Sequence, residues 1–307
     1  MNFLPYSKNQ HSQAILALIL ANIIWGIGSP IFKLALQNIP PFTLAFFRFF
    51  GAMLILFPFT VSNLWIKKED WFKLIVLSFF GITVNITFFF LGLKYAPSIN
   101  APIIASAGPV FLYLFSIFYL HEKNHPKVLI GTIISLIGVF VIIGQPILKE
   151  GLDGQVLGNL FFLLSALGAV IHAVMMKQIN SKYPASVLTF WSFLIGSLTF
   201  LPFFILEMTT LHPFNTIDNR GWLGLVFGIL LSSLAAYWLF DWGLKKIAAQ
   251  EVGLFYYIDP IAAAVIAIPL LGETISLLFV TGSILVFGGI FIAEGRLHYH
   301  PLHKLSR

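Results

Sequence analysis

Ten long apolar runs separated by short polar loops take up most of this sequence: 14–36, 41–61, 72–95, 100–120, 128–144, 156–179, 186–207, 222–244, 250–271 and 275–295. A helix needs about 20 such residues to cross the hydrocarbon of a bilayer. The runs are continuous rather than alternating, so they do not read as β-barrel strands. Composition points the same way, because only 10% of the residues are charged and mean hydropathy is +0.91. A water-facing domain carries about 25% charged residues, so soluble enzymes, nucleic-acid binders and disordered scaffolds are excluded. A polytopic, all-α membrane protein remains, with loops too short for a soluble domain. The first run contains Asn22, Pro30 and Lys33 and has no small-residue cleavage site, so it reads as a span rather than a signal peptide. No Cys is present, which excludes disulfides and thiolate metal sites.

The basic residues set an orientation. With the N-terminus in the cytoplasm, 13 Lys and Arg fall in the inside loops and tails, while Lys33, Lys94, Lys149 and Arg220 make 4 outside. That asymmetry fits an even number of spans with both termini cytoplasmic in the cell (inner) membrane. It also accounts for the net charge of +6 without nucleic acid. The tail 296–307, with Arg296, His298, His300 and His303, reads as an inside-facing basic segment that can touch anionic lipid or bind metal.

The runs are duplicated. Shifting the sequence by 151 superposes 92–144 on the second half without a gap: Pro109 falls on Pro260, Glu122 on Glu273, Gly131 on Gly282, Gly138 on Gly289 and Gly144 on Gly295. Matches among Leu and Ile are cheap in so apolar a chain, but glycines, a proline and a glutamate in one register are not. Upstream, a shift of 143 takes Pro41 to Pro184 and Phe47 to Phe190. The chain thus divides into a tail 1–13, a first repeat 14–144, a connecting loop 145–155, a second repeat 156–295 and the tail 296–307. Five helices per repeat is an odd number, so the second copy must cross the membrane in the opposite sense. Inverted repeats around a midplane site are an architecture of secondary transporters.

These pieces resemble the EamA-type members of the drug/metabolite transporter superfamily, over nearly the whole chain. The resemblance rests on Trp25-Gly26 followed by Lys33, on Arg48 in the second helix, and on Pro109 and Pro260, each followed by a Glu and a Gly pair. It implies a ten-helix carrier that moves amino acids or other small metabolites, often outward. It also implies a central cavity lined mainly by helices 1, 3, 4, 6, 8 and 9.

A charge at bilayer depth is costly, so each one is a functional candidate. Asp259 lies about nine residues into the ninth run, close to mid-bilayer at 1.5 Å rise per residue. Pro260 follows it and opens the backbone ladder there. Asp259 can hold a substrate ammonium or a coupling proton, or it can pair with Arg48. Arg48, eight residues into the second run, can grip a substrate carboxylate as a bidentate fork, neutralise Asp259, or bond helix carbonyls. His172 is a titratable candidate. Asn85 and Asn100 offer amides either to a cavity or as interhelical glue. Trp25, Tyr113, Trp238, Tyr256 and Tyr257 can wall a cavity or sit at the membrane interface. Gly26 and Gly28 before Pro30 read as a hinge or a close-packing site, and Pro109 and Pro260 as further bends. Asp241 is expected to pair with Lys245, Glu251 to sit at a helix start, Glu122 and Glu273 to cap helices, and Lys33 and Lys94 to snorkel outward.

Residues 121–125 spell His-Glu-Lys-Asn-His, the H-E-x-x-H of zinc proteases. Pro126 biases His125 away from helical geometry, the run 128–144 carries Asp153 to the other membrane face, and the repeat alone accounts for Glu122. No phosphate-binding loop motif occurs, so transport would draw on a gradient or on exchange. The expectation is a carrier, not an enzyme, with no cofactor or metal and with a small-molecule substrate; it is compatible with a homodimer. An intramembrane metalloprotease and a passive channel or lipid-handling protein are the alternatives.

Overall fold

The computed structural model describes residues 8–108, 110–111, 126–150, 154–179, 182–211, 217–246 and 253–294. Among them every regular element is helical. The helices are α1 (Lys8–Ala35), α2 (Pro41–Thr60), α3 (Trp71–Ser78), α4 (Asn85–Tyr95), α5 (Asn100–Ala105), α6 (Pro126–Glu150), α7 (Gly154–Ile179), α8 (Ala185–Leu211), α9 (Asn219–Val226), α10 (Ala236–Lys246), α11 (Ile258–Leu271) and α12 (Leu277–Glu294). Six rods are long and apolar enough to cross a membrane, and three shorter apolar helices accompany them. Their outer faces carry Phe59, Phe72, Val265, Ile284 and Leu277, each more than 60% exposed. Such a surface is tenable in lipid and not in water. The chain is an all-α integral membrane protein.

Two of the helix pairs that join the halves run antiparallel. Between α2 and α8, Phe42 stacks on Phe203 at 4.9 Å and Phe46 on Phe204 at 4.4 Å, while Phe57 meets Phe190 at 5.9 Å. Numbers rise along one helix as they fall along the other. Between α6 and α12 the seam is made of small residues. A Cβ on Gly138 would lie 2.6 Å from the Gly282 carbonyl oxygen, and one on Gly289 would lie 2.5 Å from that of Gly131. Ser135 Oγ, midway, donates to the Val286 carbonyl at 2.9 Å. Lipid tails give helices no hydrophobic reason to associate, so this closeness of backbones supplies the attraction. Around these pairs, α4 packs on α7, and α1 packs on α10 and α11.

Carboxylates tie the loop ends. Pro40 offers no side-chain cap to α2; instead Glu207 from α8 accepts from Thr43 N (2.6 Å), Thr43 Oγ1 (2.8 Å) and Phe42 N (3.2 Å). A negative group there meets the unpaired N–H groups of a helix start. Glu273 caps not its own helix but the chain entering α5, accepting from Ser98 N (2.7 Å) and Ile99 N (3.1 Å). Lys33 does not merely snorkel: its Nζ pairs with Glu273 Oε1 at 3.1 Å and donates to the Ala96 carbonyl at 2.7 Å. At the opposite ends of the rods, Asp70 accepts from Lys182 Nζ (2.8 Å) and Tyr183 OH (2.7 Å), which holds the Lys182 ammonium above its usual range.

Two kinds of irregularity recur in both halves. The rod α3–α4 passes through a π-helical stretch at Phe79–Val84, and α9–α10 through one at Phe227–Ala235. A shift of 151 takes Val84 to Ala235. The fourth and ninth runs are broken: α5 stops at Ala105 before a turn at Ser106-Ala107, and a 3-10 segment Gly253–Tyr257 precedes α11. The expectation of a continuous ninth helix opened by Pro260 is corrected here. Pro260 lies in the first turn of α11, where a missing N–H breaks no helical bond.

Candidate functional site

The irregular stretches surround a cavity of about 180 Å³. Helices α1, α4, α5, α7, α10 and α11 and both π stretches border it, as does α2 through Arg48. Its wall is largely apolar, with Phe32, Phe89, Phe162 and Phe240 beside alanines of α5 and α7.

Arg48 is 2% exposed. Its Nε donates to Ser233 Oγ at 2.7 Å and its Nη2 to Ser232 Oγ at 2.9 Å, both in the π stretch of the α9–α10 rod. The rings of Phe32 and Phe49 lie 4.8 Å from the guanidinium carbon, a cation–π arrangement. Among the described residues Arg48 and Asp259 form no ion pair, although both border the cavity. Asp259 is 8% exposed, stands in the first turn of α11, and its Oδ1 has no hydrogen-bond partner among the described residues. The positive end of the helix favours a negative group there.

Trp25 donates from Nε1 to the Ser232 carbonyl at 3.1 Å and packs edge-on to Tyr237. His172 is buried, its Nδ1 3.0 Å from the Leu77 carbonyl oxygen, and its ring occupies the space a side chain at Gly81 would need. Asn85 donates from Nδ2 to the Ser165 carbonyl and hydroxyl oxygens at 2.8 and 3.1 Å, and is at once glue between α4 and α7 and part of the cavity wall. Asn100 is glue alone, bonded to Asn159 at 2.9 Å. Tyr256 lines the cavity beside Phe240, 6.1 Å between ring centroids.

The helix-one glycines are closely packed. A Cβ on Gly26 would lie 2.5 Å from the Asp259 carbonyl oxygen, so this glycine lets α1 touch α11 at the carboxylate's own backbone. Gly28 faces Phe227. Pro30 sits inside an unbroken α1, and the Gly26 carbonyl it deprives of a donor accepts from Ser29 Oγ at 3.1 Å.

Some expectations are corrected. Trp238 does not wall the cavity; it is 48% exposed and borders an outer groove with Leu16 and Leu20. Tyr257 packs on Phe287 of α12. Asp241 accepts from Thr189 Oγ1 at 2.7 Å, and the side chain of its expected partner Lys245 lies outside the described ones. Tyr113, Pro109, Glu251 and the His121, Glu122 and His125 of the H-E-x-x-H string lie outside the described residues, among which no group of His, Asp and Glu could hold a metal.

Sequence reasoning missed Tyr237, which lies between Trp25 and His172, and the pair Ser232-Ser233 that holds Arg48. Two adjacent hydroxyls in an apolar run were a readable signal. The choice of Tyr237 over Trp238 was not, because a π stretch inserts extra residues and turns everything after it to a new azimuth.

The comparisons agree with this geometry. The EamA-like transporter family model matches residues 12–144 and 156–294. A transporter of Archaeoglobus fulgidus is 26% identical over 292 residues, 94% of this chain and 99% of that one. An Escherichia coli protein named "Probable amino-acid metabolite efflux pump" is 27% identical, covering 95% of this chain and 98% of its own. A solved crystal structure superposes with a TM-score of 0.65 at 20% identity over 91% of this chain and 96% of that chain, a likeness of fold. The chain belongs to the EamA-like transporter family.

Proposed function

We propose that this protein is a secondary carrier that exports small metabolites such as amino acids, by alternating access around the cavity between its two halves. The observation that carries the reading is that Arg48 and Asp259, two buried charges that form no ion pair with each other, border one cavity where the broken helices meet. Discontinuous helices whose ends point at a midplane site are how such carriers hold polar substrates in lipid. At about 180 Å³ the space suits a small metabolite, since drug-sized ligands need roughly 300–1,000 Å³. The efflux pump named among the relatives supports the amino-acid class.

In this reading ten helices form two inverted five-helix repeats, 14–144 and 156–295, joined by 145–155 and flanked by tails at 1–13 and 296–307. Antiparallel packing of α2 on α8 and of α6 on α12, each helix against its own counterpart, supports that symmetry. Both termini face the cytoplasm of the cell (inner) membrane. Trp25, Asn85, His172 and Tyr256 shape the cavity, with Asp259 and Arg48 as its poles. Pro109 and Pro260, with the Gly26, Gly28 and Pro30 stretch of α1, are assigned as the points about which the halves move.

The test is counterflow in proteoliposomes with a metabolite panel, repeated with Asp259→Asn. Saturable, substrate-specific exchange is expected, reduced at least about tenfold in the variant, the value of one hydrogen bond to a charged group. Non-saturable flux would establish a channel instead. Unchanged exchange in the variant would remove Asp259 from the mechanism.

A further inference from the structure

The two buried charges of the cavity are not equivalent. A guanidinium offers a carboxylate a fork made by Nε–H and Nη2–H, and in Arg48 both of those atoms already donate to Ser233 and Ser232. Two phenyl rings lie 4.8 Å from the guanidinium carbon. With that side-on fork taken by the serines, a substrate carboxylate would be left the end-on pair, Nη1 and the second N–H of Nη2. Asp259 is the converse: its residue is more than nine-tenths buried and its Oδ1 meets no donor among the described residues. Around the cavity stand Trp25, Tyr237 and Tyr256, rings whose faces attract a cation. The site therefore has a provided-for cation and a carboxylate with one oxygen, Oδ1, that has no partner among the described residues.

We propose that the group this cavity recognises is the substrate's ammonium, so that protonated amines with an apolar or aromatic body are its ligands and a carboxylate on them is dispensable. The inference rests on the carrier reading above and narrows it. An ammonium donates to Asp259 and supplies the positive charge that a buried carboxylate requires. The rest of the molecule lies against phenylalanine, tyrosine and alanine side chains. Arg48, held by its serines, then shapes the wall rather than gripping ligand.

The experiment uses the full chain in lipid nanodiscs and three probes that share one phenylethyl body. They are phenethylamine with an ammonium only, phenylalanine with both charges, and 3-phenylpropionate with a carboxylate only. Binding is read by titration calorimetry, and each probe is then used to inhibit counterflow of whichever panel metabolite is transported. Phenethylamine is expected to bind as tightly as phenylalanine or more tightly, and 3-phenylpropionate at least about tenfold more weakly, the cost of losing a charged hydrogen bond. In Asp259→Asn the preference for phenethylamine over 3-phenylpropionate should collapse by the same factor. Phenylalanine or 3-phenylpropionate binding more tightly than phenethylamine overturns the proposal, as does failure of all three to bind. If the panel still shows saturable exchange in those cases, the carrier reading stands and only the ammonium assignment falls.

Discussion

Replacing Gly26 with alanine adds one methyl group where the backbones of α1 and α11 touch. Built on the native backbone, that carbon would lie 2.5 Å from the Asp259 carbonyl oxygen, 2.8 Å from Ala262 Cβ and 2.9 Å from Asp259 Cα. Two of these three neighbours are main chain, so no rotamer change relieves the clash. Non-bonded carbons rest about 3.5–4.0 Å apart, so α1 and α11 must part by roughly 1 Å. Overpacking of this kind costs about 1–3 kcal/mol. It also displaces the first turn of α11, on which Asp259 is carried. Gly26→Ala should therefore lower both the thermal midpoint of the purified protein, read by fluorescence-detected size exclusion, and the rate of counterflow. Gly288→Ala is the matched control, because nothing lies within 4 Å of the added carbon. There a helix former replaces glycine, and stability should hold or rise by up to about 1 kcal/mol. A Gly26→Ala protein that melts no earlier than the parent and transports as well would refute the claim that α1 is seated against Asp259 by this glycine.

Other outcomes rest on neighbouring contacts. Tyr237→Ala should reduce transport by about tenfold, roughly 1.4 kcal/mol, through loss of a cavity wall, whereas Trp238→Ala should leave counterflow unchanged. Glu273→Ala strips the cap from Ser98 and Ile99 and the partner from Lys33, and should destabilise by about 0.5–2 kcal/mol, the range for lost caps. Glu273→Gln, which keeps an acceptor for the two N–H groups, should lose less in the same melting assay. With no native Cys to remove, the single variants Ser62→Cys and Asn219→Cys, both at exposed positions, should react with impermeant maleimide from opposite membrane faces. Labelling of both from one face would end the inverted-repeat reading.

The sequence carried the membrane class and the duplication because both are written in local chemistry. An apolar run declares its solvent wherever it sits, and Gly131, Gly138 and Glu122 recur as Gly282, Gly289 and Glu273 whatever the fold. It also carried Asp259, Arg48 and His172, since a polar group in an apolar run is conspicuous and bordered the cavity in all three cases. What a polar group touches is another matter. Arg48 meets Ser232 and Ser233, 184 and 185 residues away, and Glu273 caps a helix from the other half of the chain. Such pairings depend on which helices lie side by side.

Azimuth was decided by the tertiary structure alone. In a soluble protein, hydrophobic periodicity points to the core, but here lipid and core are both apolar, and the pattern around each helix is nearly uniform. The π stretches at Phe79–Val84 and Phe227–Ala235 rotate the helical turns C-terminal to them, so that Tyr237 rather than Trp238 faces inward. The break before α11, which turns Asp259 from a mid-helix residue into a first-turn one, lies where α11 packs against Gly26 of the other half. Residue identity is local, whereas orientation is set by neighbours that only the folded bundle brings together.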